Sequence, residues 1–229
     1  MCSSDLNVSF ALEHSIVLLK RSPLIAGSER EMREHLQWEA EQFLAGEERD
    51  FSVDCLLESD WGLFVAVRHS ALDCYLELGA ETGMKQVDVD VPAFALYNAG
   101  ECAGLLPSAE RELLVYANAD EAHMLLVEDG QPLQVSVRTW DDEDDAAEIL
   151  SSAARRLLRE VEGGVQCTWC AGADAEVWGA NLAESLGCSM ALLDPLAQIE
   201  QEELSEEFTP DQRTPYAIAV GLAQRGLAS

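Results

Sequence analysis

The sequence is short of positive charge. Its 229 residues include 14 Lys and Arg against 43 Asp and Glu, and the formal net charge is −29. Only Lys20 and Lys85 are lysines. Nucleic-acid binding requires a basic surface that neutralises phosphates, and attraction to an anionic membrane requires the same surplus of Lys and Arg. The composition therefore excludes a nucleic-acid partner and a charge-driven membrane role.

Long apolar runs and a cysteine framework are also missing. No stretch approaches the roughly 18 uninterrupted apolar residues of a membrane helix, and the opening MCSSDLNVSF lacks the charged-then-apolar order of a signal peptide. The seven cysteines are odd in number and scattered, which is typical of reduced thiols packed as small hydrophobes. We therefore predict a cytoplasmic chain with no direct membrane insertion and no disulfides.

The sequence does contain enough apolar residues for a core. The hydrophobic fraction is 48%, so the acidity is not the low-hydrophobicity signature of disorder. At about 150 residues per domain, the length suits one large domain or two small ones.

The first six residues, MCSSDL, stand apart from the rest. With GTG read as the start codon, their reverse translation matches the end of a common short-read sequencing adapter. This match predicts that residues 1–6 are an assembly artefact and that the parent gene begins upstream.

The first half alternates strand and helix patterns. Ser28 and Glu31 have capping-box spacing and predict a helix to about Leu44, whose apolar stripe leaves Trp38 on the far side and Glu39 at its margin. Two strands precede this helix; two strands, a helix, the strand VDVDV and a short helix opened by Pro92 follow it. The predicted strands and helix before VDVDV are NVSFALE, SIVLLKRSPL, FSVDCLL, LFVAV and a helix through Leu72, Tyr75, Leu76 and Gly79. We place the best internal boundary at residues 100–109.

The second half has the order β-β-β-α-β-α-β. Asp129-Gly130 lies between HMLLVE and PLQVSVRTW and predicts a hairpin turn. The predicted elements are the strand ELLVYA, this hairpin, a helix from about Asp142 to Glu160, the strand VQCTWC, a helix from about Asp174 to Leu186, the strand SMALL and a final helix from Pro215 to Gly226. An antiparallel meander that feeds parallel crossovers is the topology of a ribonuclease H-like half.

Two groups of carboxylates could hold a metal or act as acid and base. The run 141–145 lacks the spacing of a calcium loop and opens a helix that carries arginines toward its end, which complements the helix dipole. Asp88 and Asp90 lie two apart on one face of a strand, with no nucleophile or further ligand nearby. We interpret both groups as structural and predict no metal and no catalytic residue.

Cys167 and Cys170 form a CxxC pair, which can be a redox motif or half of a zinc site. Zinc would require a second pair, and the other cysteines and histidines lack ligand spacing. Because Cys167 lies within a predicted strand and not at a helix start, we interpret both thiols as structural.

Signals for phosphate binding are weak. The sequence has neither GxxxxGK[ST] nor GxGxxG. Gly172, at a strand-to-helix turn, is the one place where backbone N–H groups at a helix N-terminus could meet an anion.

Three stretches, in the same order, resemble the PilM family of type IV pilus assembly proteins, which are actin-like and related in fold to the cell-division protein FtsA. The resemblance covers essentially residues 7–227, and the second stretch is the most specific. The stretches are EHLQWEAEQFL (34–44), GLFVAVRHSALDCYLELGAETGMKQVDVDVPAFALYNA (62–99) and TPYAIAVGLAQRGL (214–227).

The resemblance implies the α/β class and an actin-like ATPase (ribonuclease H-like) fold, incomplete at the N-terminus, with an inserted FtsA/PilM-type subdomain. The implied segments are 1–6 (artefact), 7–86 (inserted subdomain), 87–104 (remnant of the first actin-like subdomain), 105–199 (second ribonuclease H-like half), 200–213 (acidic loop) and 214–229 (a C-terminal helix that packs back on the first half).

The nucleotide motifs of the family are eroded here. Its opening DIGSSS-type loop is absent, and at its second phosphate motif Tyr116, Asn118 and Ala122 replace Asp, Gly and Thr. An Asp that orients metal-bound water and a Gly that lets phosphate approach are lost. Of the adenosine-side GGGA only Gly172 and Ala173 remain, as a degenerate cofactor-binding loop. The resemblance therefore implies no ATPase activity and no cofactor, with ATP and Mg²⁺ left open for a full-length parent.

The function implied is that of a cytoplasmic scaffold in the type IV pilus inner-membrane platform, peripheral at the inner membrane through its partners. The implied partners are the N-terminal peptide of a PilN-type inner-membrane protein and the assembly ATPase. We assign Trp38 and Glu39 to partner binding; the alternative is that Trp38 lies flat against its own domain. Two other functions stay open: the L-type cytoplasmic scaffold of type II secretion and an ATP-binding actin-like switch.

Overall fold

The chain divides into two compact units, one ending at Val91 and the other beginning at Pro92. The computed structural model describes residues 7–12, 17–23, 27–43, 51–57, 61–84, 86–106, 110–141, 144–159, 161, 163–198 and 208–228. Residues 1–6, predicted to be an artefact, lie outside these ranges. This division lies at Pro92, whereas the sequence predicts a boundary at residues 100–109, where a helix runs through Gly100 to Cys102.

The first unit contains a three-stranded antiparallel sheet covered by one helix. The strand order is β2-β4-β3, and the elements are β2 (Val17–Pro23), β3 (Phe51–Leu57), β4 (Trp61–Arg68) and α1 (Glu29–Phe43). The buried side chains of Leu36 and Ala40 on α1 pack against Phe64 and Ala66 on β4. The predicted capping box is confirmed: Ser28 donates its backbone N–H to Glu31 Oε2 at 2.7 Å, and the Glu31 N–H reaches Ser28 Oγ at 3.4 Å.

The same unit holds a two-stranded parallel sheet and a second helix. The elements are β1 (Asn7–Ala11), α2 (His69–Thr82) and β5 (Gln86–Asp90), with β1 paired to β5. Gly83 ends α2 in the left-handed conformation at φ 71°. Predicted strands and helices are therefore present throughout the described part of this unit.

The second unit is built on a five-stranded sheet with helices between its strands. The elements are α3 (Pro92–Cys102), β6 (Glu112–Ala117), β7 (Glu121–Glu128), β8 (Gln131–Thr139), α4 (Ala146–Arg159), β9 (Cys167–Gly172), α5 (Ala175–Leu186) and β10 (Ser189–Leu192). The strand order is β10-β9-β6-β7-β8. β6, β7 and β8 form the predicted antiparallel meander, whereas β9 and β10 run parallel to β6. The hairpin prediction is confirmed, with φ 52° at Asp129 and 71° at Gly130.

Helices cover both faces of this sheet. Leu150, Ala153 and Leu157 on α4, with Leu182 on α5, pack against one face. Leu96 and Ala99 on α3 pack against the other face, together with Ala217. Alternate residues of β6 and β7 enter the two cores, as the pleat requires.

Two helix boundaries differ from the sequence prediction. α4 begins at Ala146 and not at Asp142, because Asp145 Oδ1 accepts the backbone N–H groups of Ala147 (3.0 Å) and Glu148 (3.2 Å) and caps the helix. The final helix, predicted from Pro215, begins at Ala217 as α7 (Ala217–Ala228), because Thr214–Tyr216 form a 3₁₀ turn; a short helix, α6 (Pro210–Arg213), precedes that turn. Of the predicted acidic loop 200–213, residues 200–207 lie outside the described residues, and α6 forms a helical turn near its end.

Candidate functional site

Trp38 lies on the outer face of α1. Its side chain is 56% exposed, on the side of the helix opposite the buried Leu36 and Ala40. It stacks on His35, with ring centroids 6.3 Å apart and planes inclined by 18°. The alternative, that Trp38 lies flat against its own domain, does not fit this exposure. A large aromatic side chain on an exposed helix face is a candidate contact for a partner.

The surface around Trp38 is acidic. Glu34 and Glu41 lie one helical turn before and after it, and Glu31 lies two turns before; all three are exposed. Glu34 forms an exposed ion pair with Arg30 at 3.6 Å. Trp38 is thus an exposed apolar side chain surrounded by negatively charged ones. Such a surface is suited to bind a cationic segment that also carries apolar side chains. We call Glu31, Glu34, Trp38 and Glu41 the α1 face.

Glu39 points elsewhere than its neighbour Trp38. Its carboxylate accepts hydrogen bonds from Ser22 Oγ and from Lys20 Nζ (3.4 Å) on β2, and lies 3.6 Å from His35 Nε2. Burial of the carboxylate opposes ionisation, but the hydrogen bond from Ser22 and the charge of Lys20 outweigh it, so the pKa of Glu39 is lowered. Glu39 therefore fastens α1 to strand β2, and its assignment to partner binding stays a prediction.

The turn between β6 and β7 stands where the second phosphate motif would fall. Asn118 Oδ1 accepts the backbone N–H groups of Asp120 (3.0 Å) and Glu121 (2.9 Å). Phosphate loops use such outward N–H groups to bind an anion. In this turn the Asn118 side chain accepts the hydrogen bonds of those N–H groups instead. The carboxylates of Asp120 and Glu121 add negative charge to the same turn.

Gly172 is the last residue of β9, and Ala173 follows it. The Gly172 carbonyl accepts Thr214 Oγ1 at 2.9 Å, the Ala173 N–H donates to the Ala117 carbonyl at 3.1 Å, and the Ala173 carbonyl accepts Trp178 Nε1 at 2.8 Å. Gly172 has φ 109°, and a Cβ there would lie 1.9 Å from the Ala117 carbonyl oxygen. These contacts join β6, α5 and the turn before α7. The requirement for glycine at position 172 is therefore explained by packing within the chain, without a ligand.

The CxxC pair does not form a dithiol site. Cys167 and Cys170 are three apart in β9, so their side chains point to opposite faces of the sheet. Both thiols are free, and Cys170 is completely buried; burial raises the pKa of both thiols above the usual range. Raised pKa values disfavour the reactive thiolate, which agrees with the structural interpretation.

Comparison with solved structures identifies the fold. The structure is similar to a chain of the PilM–PilN type IV pilus biogenesis complex, with a TM-score of 0.79 and 18% sequence identity over 96% of this chain and 80% of that chain. A Bacteroides thetaiotaomicron protein of actin-like ATPase fold and unknown function gives a TM-score of 0.51 and 15% identity over 87% of this chain and 72% of that one. The chain has an actin-like fold.

A further structure with this similarity comes from secretion. The cytoplasmic domain of EpsL, an inner-membrane component of the type II secretion system of Vibrio cholerae, gives a TM-score of 0.52 and 19% identity over 71% of this chain and 60% of that one. No protein-family profile and no curated protein matches the sequence. The resemblance to PilM is thus confirmed as a shared actin-like fold.

The two groups of carboxylates weighed as metal ligands in the sequence are Asp88 with Asp90 and the run 141–145. Asp90 is buried and its Oδ1 accepts the Val91 N–H at 2.7 Å, while Asp88 is half-buried. Asp142 and Glu143 lie outside the described residues, and Asp145 caps α4. Across the described ranges of this actin-like chain, no group of three or more His, Cys, Asp and Glu side chains is arranged around a metal position. Among those residues there is also no helix long and apolar enough to cross a bilayer.

Sequence reasoning missed one surface of the second unit. A groove of about 340 Å³ lies between the ends of α4 and α5, lined by Arg155, Leu158, Arg159, Ser185 and Leu186. Arg155 and Arg159 are one helical turn apart with Leu157 and Leu158 between them, and this spacing is the sequence signal for a surface that combines positive charge with apolar side chains. The helix dipole explains the charges of these arginines but does not predict a groove.

Proposed function

We propose that this chain is an actin-like scaffold in type IV pilus assembly that binds the cytoplasmic N-terminal peptide of a PilN-type inner-membrane protein. The observation that carries the proposal is the similarity to the PilM–PilN complex over 96% of the chain. The proposal also includes contact with the pilus assembly ATPase and a peripheral location at the inner membrane through these partners. It assigns no enzymatic activity to the chain.

Charge supports this choice of partner. Cytoplasmic segments next to membrane helices carry an excess of Lys and Arg, and this chain has a net charge of −29. Opposite charges accelerate encounter and favour the correct partner over acidic ones. An acidic chain is therefore suited to capture a juxtamembrane peptide while the anionic lipid surface itself repels it.

The α1 face is the proposed contact. We expect Trp38→Ala to weaken binding of a fluorescein-labelled PilN-type N-terminal peptide by about 2 kcal/mol or more, because a tryptophan that becomes buried in an interface is a typical hot spot. Fluorescence anisotropy measures the affinity. Raising the salt from about 0.1 M to about 1 M should weaken wild-type binding, because exposed charges are then screened within a few Å.

Leu76→Ala is the matched control, since Leu76 is a 52% exposed apolar side chain on α2 of the same unit. It should leave the affinity unchanged. Equal affinity for Trp38→Ala and wild type would remove the α1 face from the interface, whereas no binding by the wild-type chain would contradict the PilN-type function itself.

We further propose that the nucleotide site is degenerate. Thermal unfolding with Mg-ATP should show no stabilisation, because the backbone groups of the turn at Asn118 and of the loop at Gly172 are engaged within the chain. A true site would gain about 2.7 kcal/mol at a nucleotide concentration about 100 times Kd. Mg²⁺ without nucleotide is the control, and a saturable rise in Tm with Mg-ATP would favour the alternative of an ATP-binding switch.

A type II secretion scaffold is the second candidate, and the similarity to the EpsL cytoplasmic domain favours it. Deletion of the gene separates the two candidates. Loss of surface pili with normal secretion supports the pilus function, and loss of secreted enzymes with normal pili supports the secretion function.

A further inference from the structure

The groove between α4 and α5 has an apolar floor. Leu158 comes from the last turn of α4 and Leu186 from the end of α5, and both are only partly buried where they pack against the core. Arg155 and Arg159 on α4 and Ser185 on α5 complete the lining. An open volume of about 340 Å³ is at the lower end of the range for ligand pockets.

The last turns of α4, beside this groove, concentrate positive charge on an acidic chain. Arg155, Arg156 and Arg159 lie within five consecutive residues, although the whole sequence has 14 basic residues and a net charge of −29. All three are exposed, and among the described residues no carboxylate lies within 4.0 Å of their guanidinium groups. Arg155 donates one hydrogen bond, to the Ser185 carbonyl at 3.3 Å, and has further N–H groups for a ligand.

The helix dipole explains only part of this arrangement. Arg156 and Arg159 lie in the last turn of α4, where positive charge is favourable. The dipole does not require an apolar groove on the same side as Arg155 and Arg159. Two fork-shaped donors beside two leucines match carboxylates that alternate with apolar side chains.

We propose that this groove, which we call the α4–α5 groove, binds an acidic amphipathic helix of a partner protein. Leucine side chains of that helix contact Leu158 and Leu186, and its carboxylates pair with Arg155 and Arg159. The inference is independent of the α1 face and adds a second interface, of opposite charge, in the second unit.

A partner protein fits this groove better than a membrane or a second copy of the chain, because electrostatic interactions act only over a short distance. At physiological ionic strength charges are screened beyond about 8 Å, so a short acidic helix meets mainly the local arginines. An anionic bilayer, or a second copy with net charge −29, presents extended negative charge to the whole acidic chain and is therefore repelled by it.

The test uses a fluorescein-labelled helical peptide of about 18 residues. Leu occupies one face of this peptide and Glu occupies the other positions, and in a control peptide Gln replaces each Glu. We expect the Glu peptide to bind the full chain and the Gln control peptide to bind at least about tenfold more weakly. Arg155→Glu with Arg159→Glu should weaken binding of the Glu peptide at least about tenfold, and the neutral Arg155→Gln with Arg159→Gln to an intermediate degree. Fluorescence anisotropy measures each affinity, and circular dichroism shows whether each variant is folded.

Arg156→Glu is the matched control, because Arg156 carries the same charge in the same last turn but does not line the groove. It should weaken binding several-fold less than Arg155→Glu alone or Arg159→Glu alone, each of which changes the net charge by the same amount at the groove itself. The proposal is overturned if Arg156→Glu weakens binding as much as the groove variants, or if the Glu peptide does not bind. It is also overturned if the groove arginines instead govern sedimentation with anionic phospholipid vesicles or self-association of the chain.

Discussion

Gly221→Ala is expected to destabilise the second unit by about 3 kcal/mol or more, at the upper end of the range for overpacking. A Cβ at Gly221 would lie 1.7 Å from the Ala95 carbonyl oxygen and 3.0 Å from Ala95 Cα. These are main-chain atoms of α3, so no side chain can rotate out of the way. Alanine favours a helix over glycine by about 1 kcal/mol, and the clash must exceed that gain. Urea unfolding followed by circular dichroism measures the change.

The close approach at Gly221 joins α7 to α3. Asn98 Nδ2 donates to the Gly221 carbonyl at 3.3 Å, which adds a polar contact at the crossing. Gly164→Ala is the control, since a methyl group at Gly164 would have no atom within 4 Å and the residue needs no left-handed backbone. It should change stability by less than about 0.5 kcal/mol. A Gly221→Ala chain as stable as wild type would show that α3 and α7 can separate without cost.

The order of elements could be predicted from the sequence because local patterns determine it. Asp129-Gly130 fixes a hairpin turn that only residues tolerant of positive φ adopt readily, and Ser28 with Glu31 fixes a helix start. Alternating apolar residues in FSVDCLL became a strand with alternating burial. Each of these signals lies within a few residues of the structure that it predicts.

The candidate sites were harder to predict because they depend on distant contacts. The apolar stripe of α1 left Trp38 outside, and the structure confirms that exposure. The sequence pattern of α1 does not predict that Glu39 contacts Lys20 and Ser22, which lie 19 and 17 residues earlier on β2. The α4–α5 groove likewise needs Ser185, which is 30 residues from Arg155. Which of five consecutive acidic residues caps α4 was also decided by the path of the backbone and not by composition.

Gly172, at the end of β9, gives the second large prediction. Gly172→Ala should destabilise the chain by about 3 kcal/mol or more in the absence of any nucleotide, since a strained backbone of this kind costs about 1–3 kcal/mol and a steric clash adds to it. The φ of 109° is unfavourable for any L-residue, and the new Cβ would lie 1.9 Å from the Ala117 carbonyl oxygen on β6. Urea unfolding without ligand measures the loss.

Gly187→Ala separates backbone strain from the clash. Gly187 has φ 69° at the end of α5 and open space where a Cβ would be, so alanine there should cost only about 1–2 kcal/mol. If Gly172→Ala costs clearly more, the glycine is needed for the close approach of β9 to β6 and the hydrogen bond from Thr214 to its carbonyl. If Gly172→Ala keeps wild-type stability but lowers a nucleotide-dependent Tm, the loop has a binding role and the proposal of a degenerate nucleotide site is contradicted. The presence of a glycine at position 172 is therefore no evidence of nucleotide binding until these two variants are compared.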